Sequence, residues 1–341
     1  MANPPFDFTL IIPVRNSLPV LPRLIEALRM QDLSGKIEWI FTDNASTDGT
    51  RAYLEGLPLE NVRILDVPEG TFSHSGTRMR AAEEARAPIV VFLTDDVVPA
   101  GADFLRELTR PVLEGKAVAA YGVCQVHPEW HDPIDAYLHN DWPTGIADLS
   151  EPLTPYVWNL LPADIRRRLC NFDNCASCFD RATLMEHRFP PVPYGEDMLL
   201  AKELLLSGHS IALARPARFY HWHRVRFSYL FRRMCIDQVV SIPSFGIHYV
   251  SSLRYAVKAI VLRIVHRSWI SLFKLRWVSL PRRIYWAAYN ARTLTADFLG
   301  KYAGTLEEGV LGKRFAWIDR MLYRKKLEII AQIERKSILR Y

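Results

Sequence analysis

In the first half of the chain, apolar residues come in short unbroken runs. These are separated by segments in which apolar positions recur every three or four residues. FTLIIPV (8–14), IEWIFTD (37–43), VRILDV (62–67) and IVVFLTDD (89–96) are such runs, rich in β-branched and aromatic residues. Runs of this kind predict strands buried on both faces. Between them, PVLPRLIEALRMQ, TDGTRAYLEGL and SGTRMRAAEEARA carry helical spacing. Strand and helix in alternation predict βαβ units, hence an α/β fold with a mostly parallel, Rossmann-like sheet flanked by helices. AVAAYGVCQV (117–126) predicts a further strand, and IALARPARFYHWH (211–223) a last one ending in two histidines. EDMLLAKELLLSGHS predicts a helix, with Gly208 as its C-cap. Residues 127–170, rich in Pro, Trp, His and Asp, read as irregular binding loops or lids. From about residue 225 the pattern is helical.

The 341 residues, 49% hydrophobic and 23% charged, are ordinary for a globular chain of one large or two modest domains. The expected division is residues 1–235 and a helical, basic region 236–341. MANPPFDFTLIIPV has no basic segment leading into an apolar one and a cleavage site, so the chain is expected to be unprocessed and cytosolic. No window of 18 uninterrupted apolar residues offers a membrane span. Five scattered cysteines fit free thiols better than a disulfide framework, and Cys175 and Cys178 lack the further ligands of a zinc site. Charge is unevenly spread. Residues 1–250 hold 24 Lys and Arg against 31 Asp and Glu, whereas residues 251–341 hold 19 against 6. Nine basic residues and no acid lie between Asp237 and Asp297. A tail of this kind suggests an anionic surface as partner, membrane or nucleic acid.

The four predicted strand ends carry polar chemistry: PVRN, DNASTDGT, GTFSHSGTR and TDD. In a parallel sheet they share one edge, where open α/β sheets bind ligands. Asp95 and Asp96, ending a buried strand, admit two readings: a strand end emerging into solvent with a helix-capping acid, or a cation site. Likewise Ser46, Thr47 or Asp48 can cap the next helix, and Glu196 and Asp197 suit a helix's first turn. Arg78 sits where a helix dipole disfavours a cation, which a partner anion would offset.

LIIPVRN, WIFTDNASTDGT and VVFLTDD together resemble family 2 glycosyltransferases of the GT-A fold. FSHSGTR, FLTDDVVP, VPYGEDMLLAKELLLSGHSIAL and FYHWHRVRFSYLFRR are more particular, and resemble bacterial rhamnosyltransferases that build cell-surface polysaccharides. The resemblance covers roughly residues 8 to 240. It implies a nucleotide-sugar donor held with Mg²⁺ or Mn²⁺ by a DxD-like motif. Here Thr94 stands at the first Asp of that motif, Asp95 in its variable middle and Asp96 at its second Asp. Asp96 is then the metal ligand, with His221 (alternatively His223) completing the site. The resemblance further implies that Pro13, Val14 and Arg15 line the nucleobase and ribose. Asp43 would accept from a pyrimidine N3–H, and His74 and Arg78 would lie near the base or diphosphate. Met79 stands where the family usually has Asn. Asp197 matches the catalytic carboxylate, with Glu196 preceding it.

The function expected from this resemblance is inverting, metal-dependent transfer of L-rhamnose from dTDP-rhamnose to a hydroxyl of a lipid-linked or polysaccharide acceptor. UDP-dependent transfer of glucose, galactofuranose or an amino sugar is the alternative, and a non-catalytic GT-A partner-binding protein a further one. No nucleic-acid module is visible, so nucleic acid is not an expected partner. In the tail, Arg263, Arg267 and Lys274 are spaced to share a helix face, and Trp269, Trp277 and Trp286 supply interfacial rings. With Arg254 and Lys258 opposite, a break or several short helices is expected. The tail is thereby expected to hold the protein peripherally on the anionic inner face of the plasma membrane; a helical layer with solvated charges is the alternative.

Overall fold

Leu10, Ile11 and Ile12, three consecutive residues, are fully buried, so their strand is covered on both faces. That is why it reads as a continuous apolar run instead of an alternating one. The computed structural model describes residues 4–140, 147–192, 194–307 and 316–338. The chain forms two units: Met1–Gln125 with Asp141–His221, and Val126–Asn140 with Trp222–Tyr341. Residue 235, the expected dividing point, lies inside the helix Phe227–Phe245.

The first unit is built on one sheet of nine strands: β1 Phe8–Val14, β2 Ile37–Asp43, β3 Val62–Asp66, β4 Ile89–Leu93, β5 Val98–Pro99, β6 Ala119–Gln125, β7 Leu149–Ser150, β8 Ala176–Asp180 and β9 Ile211–Tyr220. Their order is β3-β2-β1-β4-β8-β6-β9-β5, with β7 also on β9. The first four run parallel, as the βαβ pattern predicts. β8 then enters antiparallel between β4 and β6, so this half of the sheet is mixed. β4 stops at Leu93 and β9 at Tyr220, short of the predicted ends. Thr94, Asp95, Asp96, His221 and His223 therefore sit on connecting segments beyond the ladder.

Strand order reverses between β1 and β4. The β1–β2 register continues to Val14↔Asp43, whereas the β1–β4 register ends at Ile11↔Phe92. Pro13, which has no N–H to donate, lies past the point where β4 pairs. The two strands thus part at their carboxyl ends, the kind of crevice where open sheets hold ligands.

The stretch read as irregular contains the short helices Pro133–His139, Pro155–Leu160 and Ala163–Leu169. In the first two the proline occupies the opening turn behind a capping Asp132 or Thr154, where its missing N–H costs nothing. Residues 141–146 of that stretch lie outside the described residues.

The second unit contains the long helices Phe227–Phe245, Leu253–Trp269, Leu280–Thr305 and Ala316–Ile338, with a turn of wider π geometry at Ile270–Lys274. Gly300 and Gly304 set the approach of two of them: an added Cβ would lie 2.5 Å from Phe231 O and 2.7 Å from Cys235 O. A polar cluster is buried here. Asp132 accepts from Asn290 Nδ2 at 2.6 Å, and Arg267 donates to both Asp135 and Asn290. Burial first, then the Asp135 charge, pushes the Asp132 carboxyl up to about 6. These contacts correct the expected basic face. Arg267 is turned inward, Arg263 lies over the Phe298 ring, and Trp286 is buried.

Candidate functional site

Three of the four polar strand ends are tied together by hydrogen bonds. After β1 the chain turns through Asn16 with φ 51°, a left-handed conformation Asn tolerates better than most residues. Asn16 N–H donates to Ser46 Oγ at 2.9 Å, and Thr47 N–H donates to Asn16 Oδ1 at 2.8 Å, joining the loops after β1 and β2. Ser17, itself buried, donates its hydroxyl to Asp95 and so joins the loop after β1 to the end of β4. Asp43 is buried and accepts from Ser46 N–H at 3.1 Å. Val14 is buried, Pro13 half-buried and Arg15 exposed on the same edge.

Asp96 lies 3.5 Å from His221 Nε2, both half-buried. The short antiparallel pair β5–β9, Val98↔Tyr220, makes this possible by carrying the chain after Asp96 back along the end of β9. His223, two residues farther along, is exposed and belongs to the segment counted with the second unit. A carboxylate oxygen and an imidazole nitrogen at this separation are a donor set that suits Mn²⁺ and is acceptable to Mg²⁺. Two protein donors would leave positions for diphosphate oxygens and water.

The helix His74–Glu84 begins at Ser73, whose side chain accepts from Gly76 N–H at 3.0 Å. His74 is exposed at its start, edge-on to Phe72. Arg78 is buried and donates to Glu196 Oε1 at 3.1 Å, a pair screened from solvent. A carboxylate of this chain is thus one anion beside Arg78, which stands just past the first turn of that helix. Met79, also buried, accepts weakly from Phe189 N–H through its sulfur.

Glu196 and Asp197 open the helix Glu196–Leu206 after Gly195, whose φ of 78° is open to glycine. Asp197 is half-buried and accepts from Met198 N–H at 2.8 Å and from Asn174 N–H at 3.3 Å. Burial chiefly, then the charges of Glu196 and Asp173, push its carboxyl up to about 7. Asn174 belongs to the turn entering β8, and Cys175 O in that turn accepts from Thr94 N–H at 3.0 Å. Asp197 is therefore held beside the end of β4, two hydrogen-bonded steps from Thr94. Among the described residues, Thr94 Oγ1, Asn174 Nδ2 and Arg78 Nε are buried without a protein partner. Buried polar atoms of this kind are normally satisfied, and three border one site.

Ser17, Asp173 and Asn174 escaped the sequence reading. SLPV looked like the approach to a helix, and NFDNCAS has no period. Only the antiparallel entry of β8 brings the latter to the β4 edge. All five cysteines are free thiols.

Residues 9–175 match the family model described as Glycosyl transferase family 2. The O-antigen chain rhamnosyltransferase RfbN of Salmonella typhimurium is 24% identical over 221 residues, 63% of this chain and 66% of that protein; the match spans just under two thirds of the relative's length. Among solved structures, the mannosyltransferase PcManGT from Pyrobaculum calidifontis, in complex with GDP-Man and Mn²⁺, is 17% identical with a TM-score of 0.50, over 98% of this chain and 87% of that one. S. aureus TarS 1-349 in complex with UDP-GlcNAc is 17% identical with a TM-score of 0.49, over 87% of this chain and 91% of that one. Residues 9–175, which hold the parallel half of the sheet and the strand ends that close it, are the part of the chain that matches glycosyl transferase family 2.

Proposed function

We propose that this protein is an inverting, metal-dependent glycosyltransferase that moves L-rhamnose from dTDP-rhamnose to a hydroxyl of a lipid-linked or polysaccharide acceptor. The observation that carries the chemistry is the convergence of a carboxylate–imidazole pair, Asp96 and His221, with a carboxyl of raised pKa, Asp197, around the ends of β1 and β4. The donor sugar is supported by the likeness to a protein named a rhamnosyltransferase. Metal dependence is supported by the donor set and by the Mn²⁺ and GDP-Man held by a protein of the same fold.

In this reading Pro13, Val14, Arg15 and Asp43 hold the nucleoside, with Asp43 accepting from the base N3–H. His74 lies toward the base or diphosphate. Asp96 and His221 hold the cation, and His223 is the next imidazole available along the chain. A divalent cation bound there supplies Lewis-acid stabilisation of the diphosphate leaving group. Asp197 takes the proton of the acceptor hydroxyl as its oxygen bonds to the sugar's anomeric carbon and the bond to the diphosphate breaks. A base poised near neutral pH suits that task. Glu196 is committed to Arg78, so the pair positions the helix start that presents Asp197.

The test is a panel of dTDP- and UDP-sugars with Mg²⁺ or Mn²⁺, scored by released nucleoside diphosphate. dTDP-rhamnose should turn over fastest, and Asp96→Asn should abolish most transfer and weaken donor binding. Full activity in EDTA, or wild-type rates for Asp96→Asn, refutes the metal role. Preference for a UDP-sugar refutes the donor.

A further inference from the structure

The helix Leu253–Trp269 is apolar on both faces. Its inward side sets Ala256, Ile260 and Ile264 into the core of the second unit, alongside the buried ends of Phe231, Leu294 and Phe298. Arg267, on the same side, is spent on Asp135 and Asn290. The outward side carries Val257, Val261, Leu262, Val265 and Trp269, all exposed, with Val265 at 64%. At about 100° per residue these five positions occupy one continuous face. Exposed apolar side chains continue through the π turn to Trp277, at 65%. A helix hydrophobic all round is normally buried, and an exposed apolar face this long marks an interaction surface.

Charge narrows the choice of partner. Arg254 and Lys258 fall within the same outward face, and exposed Lys274 and Arg276 follow it. Lys274 lies over the Trp269 ring at 5.1 Å. No acid occurs between Asp237 and Asp297. An apolar strip bearing cations and indole rings, with no anion in its whole length, complements a surface that is oily inside and negative at its rim. Among the described residues no helix is long and apolar enough to cross a membrane, so the strip would lie in the plane of the surface.

We propose that the outward face of helix Leu253–Trp269, with the turn that follows it, docks on an anionic bilayer. Val261, Leu262, Val265, Trp269 and Trp277 enter the boundary between headgroups and acyl chains, and Arg254, Lys258, Lys274 and Arg276 meet lipid phosphates. Of the three cations whose spacing along the chain suggested a basic face, only Lys274 belongs to this strip, since Arg267 is paired with Asp135 and Asn290 and Arg263 lies over the Phe298 ring on the other side of the helix. The inference is independent of the donor sugar and of catalysis.

The experiment is flotation of the full chain with phosphatidylcholine vesicles, with and without phosphatidylglycerol, and it reads no activity. The wild-type chain should float with anionic vesicles and less so as salt is added. Arg254→Ala with Lys258→Ala should weaken partitioning roughly fivefold for each cation removed. Leu262→Gln, Val265→Gln and Trp269→Gln together should abolish flotation while leaving the melting temperature unchanged, because all three side chains are exposed. Failure of the wild-type chain to float, equal flotation on neutral vesicles, or wild-type flotation of the triple variant overturns the proposal. So does a solution dimer that the triple variant disperses without any flotation by the wild type, which would assign the face to a second copy of the chain.

Discussion

Replacing Arg78 with methionine removes a cation but keeps most of its apolar stem, and leaves the Glu196 carboxylate buried. The two side chains are 6% and 8% exposed and meet at 3.1 Å. At an effective dielectric of about 20, their gross attraction is about 5 kcal/mol. Desolvation of both groups offsets most of that, so the intact pair adds little net stability. Removing one partner is different, because the other then stays desolvated without compensation, at a cost of about 3–5 kcal/mol. For a unit of this size each kcal/mol lowers Tm by roughly 2–4 °C, so Arg78→Met should melt about 6–20 °C below wild type. Glu196→Gln should cost less, since an amide oxygen still accepts from Arg78. The double variant should be more stable than the sum of the single losses, with a coupling of about 0.5–3 kcal/mol. Thermal and urea unfolding at pH 8 measure all four proteins. A Tm drop under about 2 °C, or an additive cycle, refutes the structural role of the pair. If Arg78→Met keeps its stability but loses nucleoside diphosphate affinity, Arg78 contacts the donor instead.

Asp197→Asn should leave nucleoside diphosphate affinity nearly intact and lower turnover by about 10²–10⁴-fold, with Glu196→Gln doing less; loss of nucleotide binding would make the residue a structural cap. With the Asp197 carboxyl raised to about 7, the base is protonated below that value, so kcat/KM should fall as pH drops through about 7. The same shift has a consequence for stability: above its ordinary range, ionising Asp197 penalises the native state. Asp197→Asn should therefore be more stable than wild type at pH 8, with the advantage gone below the unfolded value near 3.8, as paired melts at pH 8 and pH 3.5 would reveal. In the second unit, Arg267→Met leaves Asn290 Oδ1 and an Asp135 oxygen without the guanidinium they share and should cost about 1–3 kcal/mol in urea unfolding.

Strands were legible because burial on two faces leaves a continuous apolar run, and β1 and β2 fall on their predicted residues. Strand ends were less so. Asp95 and Asp96 extend the β4 run in sequence, yet the ladder stops at Leu93 because the next residues leave the sheet, Asp95 to meet Ser17 and Asp96 to meet His221. Short helices between 133 and 169 were hidden by prolines that break a helix interior but suit its first turn.

By itself, then, the order of residues determined strands β1 to β4, β6 and β9 and the helices between the first four, that the polar ends of β1 to β4 share an edge, and that the tail is basic. Each of these follows from local period and composition. Tertiary structure alone decided which side chains meet across that edge. Arg78 and Glu196 are 118 positions apart, and nothing in either neighbourhood names the other. Asp173 and Asn174 reach Asp197 only because β8 runs antiparallel beside β4. The outward face of helix Leu253–Trp269 was likewise beyond local pattern: apolar residues lie on both sides, with Arg263 and Arg267 on one and Arg254 and Lys258 on the other, so no period says which side its neighbours will cover. The inward side was settled by packing against Phe231 and Phe298 and by the pairing of Arg267 with Asp135, which left Arg254 and Lys258 on the side that faces out.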